Sequence, residues 1–155
     1  MSRVQLALNV SNINDAIAFY SKLFATEPAK VKAGYANFAI EDPPLKLVLI
    51  EGEGGGTLNH LGVEVETGNE VLAAETRLAA EGLSTTGVDD TMCCYALKTE
   101  TWVNDPDGAP WEWYVKTDDA DEMTNTVIDS PTLNSTTHNI NDAGTVACGA
   151  PVTNS

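Results

Sequence analysis

No Lys or Arg follows Lys116, and the 155-residue chain holds only eight of them against 23 Asp and Glu, a net charge of −15. That deficit excludes nucleic acid and anionic membrane surfaces as partners, because their phosphates need a basic face. Long apolar runs are also missing; none approaches the roughly 18 residues of a membrane span. The N-terminal MSRVQLALNV lacks the charged region, apolar core and cleavage site of a secretory signal. The expected compartment is therefore the cytoplasm. Cysteine is scarce, with three residues. Reduced thiols in that number point to metal binding or catalysis rather than a disulfide frame. Histidine is scarcer still: His60 and His138 are the two. The second lies in residues 118–155, a stretch rich in Asp, Asn, Thr and Ser and poor in large apolar side chains, which reads as a disordered acidic tail.

What is present repeats itself. Val4–Val10 (VQLALNV) aligns with Asn59–Val65 (NHLGVEV) at an offset of 55 residues, and both alternate apolar with polar positions, the pattern of a half-buried strand. The same offset places Asn14-Asp15-Ala16-Ile17 over Asn69-Glu70-Val71-Leu72, followed in each case by apolar residues at helical spacing. Asn14 is the expected cap of the first helix and Gly82 the expected stop of the second. Three strand-like runs follow each helix, at about 28–32, 36–41 and 45–51, then at about 83–89, 93–104 and 111–117. Pro43-Pro44 and Asp105-Pro106-Asp107-Gly108 punctuate them. The expected fold class is α+β, two βαβββ modules (1–51 and 57–117) joined by the glycine-rich Gly52–Gly56, forming one domain over 1–117 before the flexible tail 118–155.

The repeat also locates chemistry. Gln5 and His60 hold equivalent places on the first strand of each module, and Glu112 lies on the last strand of the second, where the first module carries Leu47. Three nitrogen and oxygen donors leave positions open on an octahedral ion, as suits Fe(II) and dioxygen chemistry, with Gln in place of one His of the usual two-His, one-carboxylate triad. Read from spacing alone, these residues can equally be isolated polar side chains. The adjacent thiols of Cys93 and Cys94 offer a second kind of ligand, a chelate for a soft element such as As(III), Cd(II) or Zn(II). Neighbouring residues of a regular strand point to opposite faces. The two sulfurs can share one atom only if the backbone near 92–95 leaves strand geometry, and turn-prone Asp89-Asp90-Thr91 suggests a loop there. A lone cysteine such as Cys148 in a polar tail is more often incidental, as are most of the aromatics Tyr35, Phe38, Trp102, Trp111 and Trp113, which read as sheet core.

The βαβββ repeat, with Gln5, His60 and Glu112 after DPDG, resembles the vicinal oxygen chelate superfamily of glyoxalase I, extradiol dioxygenases, and fosfomycin- and bleomycin-resistance proteins. The resemblance covers about residues 1–117. The stretches MSRVQLALNV, AFYSKLF, GYANFAI, PPLKLVLIEG, LNHLGVEVE and Cys93-Cys94-Tyr95-Ala96 look like the organoarsenical carbon–arsenic lyases and the cadmium-induced proteins of actinobacteria. That resemblance implies a vicinal oxygen chelate cup with Gln5, His60 and Glu112 as catalytic metal ligands for Fe(II). It implies Cys93 and Cys94, with Cys148 as a further candidate thiol, as binders of a trivalent organoarsenical, methyl or aryl arsenite. The implied activity is dioxygen-dependent cleavage of the carbon–arsenic bond to inorganic arsenite. Glyoxalase I would require a fourth ligand where Leu47 stands. A Cd(II)- or As(III)-sequestering protein and a different extradiol-type dioxygenase are the competing readings. The sequence leaves the native metal, methyl against aryl preference and a homodimer open.

Overall fold

The computed structural model describes residues 1–93, 95–119, 126–128 and 138–139. The chain divides into two compact units, Arg3–Gly62 on the one hand and Met1–Ser2 with the chain from Val63 on the other. In the first unit, β1 (Arg3–Val10) leads into α1 (Ile13–Phe24), the meander β2 (Lys30–Lys32), β3 (Tyr35–Ile40) and β4 (Leu45–Glu51), and then β5 (Thr57–Glu64). The strand order is β5-β1-β4-β3-β2. β1 and β4 run parallel, with Gln5 opposite Lys46 and Leu6 opposite Leu47, while β3 pairs with both neighbours antiparallel. Parallel pairing needs a long connection, and α1 with the meander supplies it.

α1 begins where its apolar stripe begins. Ile13 is buried, so the cap falls one residue earlier, at Asn12 rather than at the expected Asn14. Asn12 is extended (φ −145, ψ 116) and its side chain accepts the Asp15 N–H at 2.9 Å. The helix covers a cluster of Ile13, Ala36, Phe38, Ile40, Leu47 and Leu49. Leu6, Leu8 and Val10 of β1 pack on the same cluster, so Gln5 and Ala7 face the other way.

The second unit holds α2 (Gly68–Ala80), β6 (Asp89–Cys93), β7 (Ala96–Asn104), β8 (Pro110–Asp119), β9 (Thr126–Ile128) and β10 (His138–Asn139), with strands in the order β10-β9-β6-β7-β8. α2 opens on a capping box between Thr67 and Glu70. Gly82, just beyond it, takes φ 83, the expected stop. The helix packs Val71 against Val65 and Val115, with Val63, Val88 and Trp113 around them.

Two strands differ from their expected extents. Residues 83–88 do not form a strand; Leu83 is exposed and Gly87 takes φ 81, which breaks an extended run before β6 starts at Asp89. The turn-prone Asp89-Asp90-Thr91 is strand, because it is paired on both sides: Asp90 with Thr99 of β7 and with Ile128 of β9. Pairing here overrides local propensity. The run expected at 93–104 is cut by a tight turn, with Cys93 opposite Ala96 and Tyr95 at φ 60. Of the stretch expected to be a featureless tail, 118–119 extend β8, while 126–128 and 138–139 are short paired strands; the rest lies outside the described residues. Among the described residues no helix is long and apolar enough to cross a membrane.

Candidate functional site

In the first unit the two residues matched by the repeat meet. Gln5 on β1 and His60 on β5 are 2% and 1% exposed, and Gln5 Nε2 lies 3.0 Å from His60 Nε2. An amide nitrogen can only donate, so the histidine nitrogen is the acceptor. The other ring nitrogen, Nδ1, is 2.7 Å from Asn59 Oδ1, which can only accept. The ring is thus held with its proton on Nδ1 and its lone pair on Nε2, the arrangement of a metal-ligating histidine whose second nitrogen is tied to an oxygen.

Leu47 does not share that space. It is 1% exposed and belongs to the cluster under α1, on the opposite face of the sheet from Gln5. A strand alternates its side chains, so an alignment off by one residue exchanges faces. The β4 residue opposite Gln5 is Lys46, whose Nζ lies 3.4 Å from Asn37 Oδ1. A cation at this place is also no metal ligand, so the absence of a fourth donor stands for a different reason.

In the second unit Glu112 is the centre of a buried polar group. It is 1% exposed and opposite Trp102 in the β7–β8 ladder. Lys98 Nζ lies 3.0 and 3.1 Å from its two oxygens and 4.3 Å from the centre of the Tyr114 ring. Glu100, 2% exposed, accepts from Trp102 Nε1 at 2.8 Å through Oε1. Its Oε2 is buried with no donor facing it. Burial, and then the charge of Glu112, push the Glu100 carboxyl up to about 7. A proton held by Glu100 can be shared with Glu112, which satisfies the orphaned oxygen. Glu112 is paired with the Lys98 ammonium and Glu100 is driven toward its neutral form, so the second unit offers one buried anionic carboxylate. Taken by chemistry alone, an imidazole with its lone pair on Nε2, an amide and a buried carboxylate are donor types that suit a divalent metal; the first two meet within the first unit, and the carboxylate belongs to the second. Among the described residues no three His, Cys, Asp or Glu side chains are grouped to hold a metal ion.

Cys93 is the last residue of β6 and pairs with Ala96 of β7. Cys94 and Cys148 lie outside the described residues.

A family model matches residues 3–113, nearly the whole of both repeats. The chain belongs to the Glyoxalase/Bleomycin resistance protein/Dioxygenase superfamily. Within this superfamily it is similar to the trivalent organoarsenical cleaving enzyme of Thermomonospora curvata, 58% identical over 125 residues, covering 79% of this chain and 83% of that protein. It is also similar to the cadmium-induced protein CadI of Mycobacterium tuberculosis, 60% identical over 115 residues, 74% of this chain and 76% of that one. Among solved structures, the Mn(II)-bound glyoxalase from Novosphingobium aromaticivorans matches with a TM-score of 0.56 at 17% identity, over 79% of this chain and 43% of that one, a likeness of fold. The superfamily's α+β architecture, with its βαβββ repeat, is the one expected from the sequence.

Lys98, Glu100 and Asn59 were not singled out from the sequence. A signal existed: Lys98, Glu100 and Trp102 alternate along one strand face, and buried charge at period two in a strand next to Glu112 is unusual. A prediction follows for the metal-stripped protein. Glu100 is raised in the folded state, so its contribution to stability is fully present below its ordinary value near 4.5 and is lost as pH rises through about 7. Glu100→Gln keeps an acceptor for Trp102 and adds a donor for Glu112. It is expected to raise stability at alkaline pH by on the order of 1–3 kcal/mol and to change it little in acid. Thermal melts of both proteins across pH check this; parallel curves would contradict it.

Proposed function

We propose that this protein cleaves the carbon–arsenic bond of trivalent organoarsenicals, releasing inorganic arsenite, with Gln5, His60 and Glu112 as ligands of one Fe(II) ion and Cys93 and Cys94 as the substrate thiols. The observation that carries the reading is the Gln5–His60 pair, buried and polarised so that His60 Nε2 presents a lone pair. The adjacent Cys93 and Cys94 in the sequence and the name of the 58% identical relative support it.

Each role follows from side-chain chemistry. A thiol displaces one hydroxyl of R–As(OH)2 as water, and two thiols on neighbouring residues leave arsenic bound through two As–S bonds with the organic group intact. Thiolates do this best, and a thiol near its ordinary pKa of about 8.5 supplies them as a minority that arsenic draws on. His60 and Gln5 contribute neutral donors and Glu112 a charge, which Lys98 holds in place at 3.0 Å. Fe(II), when bound, supplies the reaction with dioxygen that side chains cannot perform. Dioxygen balances the chemistry: methylarsenite plus O2 gives arsenite plus formaldehyde, arsenic staying trivalent while carbon is oxidised. The work belongs to the cytoplasm, where the thiols stay reduced.

A second reading has its own observation, the 60% identity to a cadmium-induced protein. It is sequestration of As(III) or Cd(II) by the thiols without turnover. One experiment separates the two. The protein is loaded anaerobically with Fe(II), mixed with methylarsenite, and split between argon and air. The proposal expects arsenite only in air and only with Fe(II). Stoichiometric binding without arsenite in either atmosphere would establish sequestration instead.

A further inference from the structure

His60 sits at the end of a chain of hydrogen bonds whose direction is fixed at the other end. Thr57 and Asn59 are two apart on β5, and Asn9 lies on β1 next to them. The Gly54 carbonyl can only accept, so the Thr57 hydroxyl donates to it. Thr57 Oγ1 then accepts from Asn9 Nδ2 at 3.0 Å, Asn9 Oδ1 from Asn59 Nδ2 at 2.9 Å, and Asn59 Oδ1 from His60 Nδ1 at 2.7 Å. Each amide has one accepting and one donating end, so the direction set at Gly54 passes along the chain without a choice. A proton on Nε2 instead would set two lone pairs against each other at Nδ1. Relief would require Asn59 and Asn9 both to flip, leaving an oxygen facing Thr57, whose proton is already given to Gly54.

We propose that Asn59, held by Asn9 and Thr57, is a positioning residue that pins the neutral His60 ring in the tautomer with its lone pair on Nε2, readying it as a metal ligand. The inference rests on the reading of His60 as a ligand. It assigns a role to three residues that touch neither metal nor substrate. Partners of this kind are worth 10–100-fold in metal affinity by general experience, which is the loss expected when Asn59 can no longer accept.

The test has one readout without metal and one with it. In a His138→Gln background His60 is the only histidine. The 15N spectrum of the chelator-treated protein then reports its tautomer directly. The expected spectrum shows Nδ1 protonated and Nε2 bare. Asn59→Leu is expected to populate the other tautomer and to weaken Fe(II) or Co(II) binding by about 10–100-fold. Asn59→Asp, which keeps the acceptor, retains both. Asn9→Leu is the companion variant should Asn59→Leu fail to fold; it frees the Asn59 amide to flip and shifts both readouts in the same direction. Protonation of Nε2 in the parent protein would overturn the inference. So would unchanged tautomer and affinity in Asn59→Leu, or in Asn9→Leu if that variant must decide. If the parent protein binds no divalent metal, the metal reading fails, while the metal-free spectrum still decides whether the relay sets the tautomer.

Discussion

His60→Ala is expected to leave a folded protein that neither binds Fe(II) nor releases arsenite. The imidazole is one of the three proposed donors, and its loss is expected to weaken metal binding by more than the roughly 100-fold upper range for removing a supporting partner. Glu112 needs a gentler change. Lys98 Nζ lies within 3.1 Å of both its oxygens and is itself 5% exposed. Glu112→Ala would strand a buried ammonium, a defect that costs about 3–5 kcal/mol and confuses unfolding with lost ligation. Glu112→Gln keeps an acceptor for Lys98 and removes the ligand's charge. It is expected to lose metal and turnover while melting near the parent temperature. Gln5→Ala is milder, because water can replace a neutral oxygen donor. Anaerobic Fe(II) titration beside thermal melts checks the series. Metal binding undiminished in His60→Ala would remove the basis of the proposed centre.

Loss of either thiol of the pair has the opposite signature, with metal retained and substrate lost. After the first As–S bond forms, the second closes within the molecule, and such a linked second attachment is worth about 10²–10⁴-fold in overall affinity. Cys93→Ser and Cys94→Ser are each expected to weaken As(III) capture by that order while Fe(II) affinity stays within a few-fold. Cys148→Ser is expected to matter less, because the chelate is closed by the adjacent pair. The measurements are As(III) affinity, Fe(II) affinity and arsenite release in the three variants. Full turnover of methylarsenite by the double variant Cys93→Ser/Cys94→Ser would refute the role assigned to the pair.

The repeat at an offset of 55 residues was legible because both modules write the same alternation and the same helix, and periodicity follows from backbone geometry alone. It was enough to align Gln5 with His60, and these side chains do meet. It was not enough for Leu47, because a one-residue slip is invisible in an apolar run such as Leu47-Val48-Leu49-Ile50 and yet reverses the face. The helix stop at Gly82 and the break at Asp105–Gly108 were readable for the same local reason. The cap at Asn12 was missed because two asparagines flank the start, and the burial of Ile13 decides between them. Asp89–Thr91 was misread because its residues favour turns, while the ladders on either side hold it extended.

The sequence by itself determined the α+β class, the repeat and the acidic character, all properties of residue identity and short-range order. Only the tertiary structure decided that Lys98 neutralises Glu112, that Glu100 is driven toward its protonated form, and that Asn59 orients His60. The first two depend on distance and burial between strands, and the last on side-chain orientation within β5. Electrostatic cost and hydrogen-bond direction exist only once those strands pair and water is excluded.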